Sequence, residues 1–125
     1  MAPDLSGGVS FGAQEVLPTT TPELLAELKD RSDSVDSLLQ QGNLGGVWYP
    51  ALRAKDVALA LEENHLNELS DSLRARMTSA VKQLTVVSWQ IDAAGDLGNK
   101  EKLTALHQQF AAAVADIQTL YAPTH

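Results

Sequence analysis

Apolar residues recur along this chain at steps of three and four. The clearest run is Leu73, Met77, Ala80, Leu84, Val87, Ile91 and Ala94, followed by Leu103, Leu106, Phe110, Ala113, Ile117 and Leu120. Such spacing gathers each set on one face of a helix. Between the two sets, Gly95-Asp96-Leu97-Gly98-Asn99 leaves room only for a tight reversal, so the pattern predicts an antiparallel helical hairpin. Two more stripes precede it. Leu24, Leu25, Leu28, Val35, Leu38 and Leu39 mark one helix, with Thr21 as its N-cap, Pro22 at the first helical position and Gly42 ending it. Trp48, Leu52, Leu59 and Leu66 run beside Val47, Ala51, Ala54, Ala58 and Leu61 on the next, where Pro50 is tolerated only in the first turn. Ser70 and Asn99 are placed to cap the third and fourth helices, and Gly95 to end the third.

Four helices near residues 21–41, 47–69, 70–94 and 99–121, joined by short links, predict an all-α fold. The expected architecture is an antiparallel up-down-up-down four-helix bundle occupying residues 21–125. Residues 1–20 are rich in Gly, Ser, Thr and Pro and read as a flexible N-terminal arm, with Val9, Phe11, Val16 and Leu17 available to dock part of it.

Composition narrows the function. The net charge of −7 repels a phosphate backbone, so no nucleic acid is expected as a partner. No apolar run approaches the roughly 20 residues that cross a bilayer, so no membrane insertion is expected either. With no cysteine, thiolate metal sites, iron–sulfur clusters and covalent haem attachment are excluded. The N-terminus has neither a charged nor an apolar leader region and predicts no export signal in the chain as it stands. No Ser-His-Asp set, His-Glu-x-x-His helix or phosphate loop occurs, which argues for a non-enzymatic protein.

Three histidines are the candidate ligands: His65, His107 and His125. In an antiparallel bundle His65 lies near the top of the second helix, taking the start of the first helix as the top. His107 lies low on the fourth, about 15 Å away at about 1.5 Å of rise per residue. One ion cannot span that gap. His65 and Met77 stand at similar heights and could serve copper or, as axial ligands, a b-type haem carrier, although Met77 falls in the core stripe. The acidic top, with Glu62, Glu63, His65, Glu68, Asp71 and the tail residue His125, is the best weak cation site. Its bland alternative is a solvated acidic end. Within it His65, His125, Glu62 and Glu68 are the expected metal ligands, and no cofactor beyond a weakly held ion is expected. The opposite end gathers Trp48, Trp89, Asp92, Asp96 and Asn99. There Asp92 is expected to accept an indole N–H and staple the helices, the alternative being a functional aromatic–acid patch.

From Leu24 to Tyr121 the chain resembles small exported helical-bundle proteins that accompany heavy-metal efflux systems in bacteria. The residues concerned are Gly46-Val47-Trp48-Tyr49-Pro50-Ala51, Ile91-Asp92-Ala93-Ala94-Gly95-Asp96-Leu97-Gly98-Asn99 and the terminal Leu120-Tyr121. That group often has His after the Val, where this chain has Trp48. The resemblance implies a periplasmic accessory protein tied to metal handling or metal stress. The residues themselves leave a second class open, a protein-interaction module that holds a protein partner and no metal.

Overall fold

The structure, a computed structural model, describes residues 16–122 and contains four long helices: α1 (Thr21–Gln40), α2 (Trp48–His65), α3 (Asp71–Asp96) and α4 (Lys100–Leu120). Short 3-10 turns at Leu44–Gly46 and Leu66–Glu68 join α1 to α2 and α2 to α3. Each helix packs on its chain neighbours and α4 closes on α1, giving the expected all-α four-helix bundle.

The ends of the helices follow local chemistry. Thr20, not Thr21, caps α1: its Oγ1 accepts from the Glu23 amide at 3.3 Å and donates to the Glu23 carboxylate at 2.8 Å. Asn99 caps α4 by accepting from the Lys102 amide at 3.1 Å. Gly42 and Gly98 lie in the left-handed region (φ 79° and 67°) just past α1 and α3. At each, the following amide bonds back across the turn, Asn43 to Leu38 O and Asn99 to Ala94 O, which satisfies carbonyls that the helix end leaves unpaired.

Gly95 is therefore not the terminator the sequence suggests. It lies inside α3, buried, and the helix runs to Asp96. A Cβ there would stand 2.8 Å from Leu44 O and 3.2 Å from Val47 Cγ2, so the missing side chain lets the α1–α2 link press against α3.

The core is aliphatic. Leu24, Leu28, Leu61, Met77, Leu84, Ile91, Leu103 and Ile117 are essentially fully buried, with Phe110 the one buried aromatic among the described residues. On α2 three inward positions are small, Ala51, Ala54 and Ala58, all wholly covered beside Val57 and Leu61. Polar contacts fix the registers. Glu27 of α1 accepts from Arg53 of α2 at 2.7 Å and from Arg31 at 3.2 Å, with all three side chains largely covered. The α1–α4 seam is the smallest of the neighbour interfaces. Two donors of α4 cross it to carbonyls of α1, Gln118 Nε2 to Leu25 O at 2.7 Å and His107 Nε2 to Ser32 O at 3.4 Å.

Leu84→Ala should cost on the order of 2–5 kcal/mol through the cavity it opens, read from denaturant unfolding. Gly95→Ala should destabilise by about 1–3 kcal/mol, because its methyl group meets backbone that cannot swing away. A Gly95→Ala protein melting at or above the wild-type temperature would contradict the close packing of the link on α3.

Candidate functional site

Two places concentrate chemistry, one at each end of α2. At its C-terminal end the His65 ring lies between two acceptors. Nε2 is 2.8 Å from Thr19 O, and Nδ1 is 2.6 Å from Glu68 Oε2. Both contacts are donations only when the ring carries a proton on each nitrogen. Thr21 Oγ1 donates to the same carboxylate at 2.9 Å. The Glu68 carboxyl is held below its ordinary range, first by the hydrogen bond from His65 and next by that from Thr21. The main chain of His65 is engaged as well, since Tyr121 Oη at the end of α4 donates to its carbonyl at 3.0 Å. Burial, with help from the Glu68 and Glu62 charges, pushes that phenol up to about 12, so it stays a donor at any ordinary pH.

Part of the arm is docked, as expected of Leu17, within the described residues 16–20. Residues Val16–Thr20 form a strap along α2: Leu17 packs against the core, Thr19 is tied to His65, and Arg53 Nη2 donates to Val16 O at 3.5 Å. Of the other docking residues expected for the arm, Val9 and Phe11 lie outside the described residues.

Of the expected metal ligands, the structure brings His65 and Glu68 together. Glu62 stands one turn before His65 on α2 and is near enough to act on Tyr121. His125 lies outside the described residues. Among the described residues no three carboxylate or imidazole groups converge as ligands to an ion would. Thr19 and Thr21 complete the knot, and sequence reasoning missed both. The signal available was the Thr20-x-x-Glu23 capping pattern, which places these threonines at the top of α1 beside the end of α2.

The other histidine lies elsewhere. His107 sits level with Ser32 and stacks on Phe110 with ring centroids 6.3 Å apart. Ser32 is eleven residues along α1 from Thr21, or about 16 Å of rise, so the two imidazoles stand about three turns apart. Met77 is fully buried in the core, while both ring nitrogens of His65 are engaged, by Thr19 O and by Glu68.

The second place begins at the N-terminal end of α2. Trp48 is 40 % and Trp89 52 % exposed, and the staple expected from Asp92 is not formed. Among the described residues no hydrogen bond joins Asp92 to either indole. Instead Lys55 Nζ lies 4.9 Å above the Trp89 ring and 3.2 Å from Asp56, and Trp48 meets Tyr49 edge-on at 5.7 Å. Trp48, Leu52, Lys55 and Leu59 recur at helical spacing on the flank of α2 that Lys55 turns toward α3. Val86, Trp89, Ala93 and Leu97 continue the surface on α3. Leu59, Val86 and Leu97 are exposed. The reason is geometric: Trp89 lies almost opposite the Leu84–Val87–Ile91 stripe on the helix, so a core built on that stripe leaves the indole outside.

No described helix is long and apolar enough to cross a membrane. Compared with protein-family models, curated proteins and solved structures, the chain matches none.

Glu68→Gln tests the knot by pH. A carboxyl held below its usual range contributes stability above the ordinary carboxylate range, and that contribution disappears as pH falls through the lowered value. The variant should be less stable than wild type at pH 7, with the gap closing in acid below pH 4. A gap of unchanged size from pH 7 to pH 3 would mean that the ionised carboxylate does not hold the knot.

Proposed function

We propose that this chain is a non-enzymatic protein-interaction module that holds its partner on the outer face of α2 and α3. The observation that carries this reading is the exposure of both tryptophans, with Leu59 on α2 and Val86 on α3 exposed as well and Lys55 laid across the Trp89 ring. A soluble monomer scatters single apolar residues over its surface, whereas contiguous aromatic and aliphatic exposure marks binding faces. Tryptophan is also the residue that most often dominates interface energetics. The metal-handling reading suggested by resemblance draws less support, because an ion at His65 would have to displace Thr19 and Glu68 from the two ring nitrogens.

A photo-reactive amino acid at position 86 of the full chain should cross-link a discrete partner in cells that make the protein. Trp89→Ala should weaken that capture by about 2 kcal/mol of binding free energy or more, as loss of a hot-spot indole does. Thermal stability should move little, since the residue is half exposed. Capture unaffected by Trp89→Ala and by Trp48→Ala would refute the assignment of this face.

A further inference from the structure

Charge around the apolar strip selects a kind of partner, an inference that rests on the interaction reading above. The strip from Trp48 to Leu59 covers eleven residue steps of α2, or about 16 Å, the length of three turns of a second helix laid along it. Carboxylates flank it at both ends. Glu62 and Glu63 follow Leu59 within about a turn, and Asp92 and Asp96 follow Trp89 on α3 toward the end where Trp48 sits. Glu63 and Asp96 are exposed, and Glu62 and Asp92 half-buried. The cation inside the strip, Lys55, is already engaged by Asp56 and by the Trp89 ring, and only 16 % of its side chain is exposed. Arg74, which borders the same hollow as Glu62 and Glu63, is engaged by Asp71 and by Leu66 O; Lys82 is exposed two turns before Trp89, and the whole chain carries −7.

We propose that the α2–α3 face receives a cationic amphipathic helix. Its apolar stripe would cover Trp48, Trp89 and Val86, and its basic residues near either end would meet Glu62–Glu63 and Asp92–Asp96. Helix-in-groove recognition uses apolar anchors at i, i+3, i+4 and i+7, which this strip matches in length. Complementary charge at the rim sets orientation and speeds encounter rather than supplying most of the affinity. An acidic helix of the same apolar pattern is repelled at both ends.

The test uses the full chain and three synthetic helix-forming peptides of about 18 residues, long enough to fold on contact. They share one leucine stripe and end in lysines, glutamines or glutamates. Titration is followed by tryptophan emission. The lysine-ended peptide should bind saturably, with a Kd at least ~10-fold below that of the glutamate-ended one and rising as salt screens the rim. Trp89→Ala, and independently Val86→Ser, should raise that Kd by ~10-fold or more, as removal of a central anchor does. The double variant Glu62→Gln, Asp92→Asn should weaken the lysine-ended peptide and leave the glutamine-ended one unchanged. Equal binding of all three peptides that is lost in Trp89→Ala would overturn the cationic partner while keeping the face. Binding indifferent to Trp89→Ala and Val86→Ser would overturn both. Binding of none of the peptides would overturn the helical partner, and the in-cell capture through position 86 would then decide separately whether the face is used.

Discussion

The bundle depends on the close approach that α2 permits. Three of its inward positions, Ala51, Ala54 and Ala58, carry nothing beyond Cβ and are wholly covered, so α1 and α3 can draw in on either side. Gly95 does the same for the link between α1 and α2, which lies against α3 with no room for a methyl group. A core assembled at such short range has little volume for large rings. Phe110 is the aromatic it accommodates, and the two indoles stand outside. The arrangement of small residues inward and tryptophans outward links the way the chain packs to the surface it offers.

Polar groups then fix what packing alone leaves free. Aliphatic side chains on parallel cylinders allow sliding by a turn at modest cost. The Glu27–Arg53 pair removes that freedom between α1 and α2, and Arg31 of the same helix shares the carboxylate. Because the three side chains are mostly covered, loss of one partner would leave a charge with poor access to water, and the pairing acts as a register constraint more than as a source of net stability. At the far end the His65 knot gathers the strap, the α2–α3 link and the end of α4 around one residue through its ring and its carbonyl.

The number, order and approximate limits of the helices were legible because a 3.6-residue period repeated over four or more turns has no competing explanation. Helix ends were less so. Gly95 reads as a terminator by composition but is required by an approach between segments some fifty residues apart, which no local pattern encodes; the 3-10 turn after His65 is likewise set by where the chain must re-enter the bundle. Of the site, His65 and Glu68 were legible as neighbours at i and i+3. Their partners Thr19 and Thr21 come from 46 and 47 residues away, across a junction that periodicity does not describe. The staple expected of Asp92 rested on nearness along the helices, which does not say which way an indole turns. The position of Trp89 opposite the Leu84–Ile91 stripe was in the sequence and carried the better signal.

The bonds that cross the α1–α4 seam run in one chemical direction. Gln118 and His107 of α4 donate, and the acceptors on α1 are main-chain carbonyls of Leu25 and Ser32. A carbonyl is present whatever residue occupies the position, so these two bonds depend on the side chains of α4 alone. Within these contacts α1 is free to change its side chains without losing the bond, while α4 is not. A map of tolerated substitutions would therefore be lopsided at these two contacts, with positions 25 and 32 keeping their bonds through changes that positions 107 and 118 do not survive.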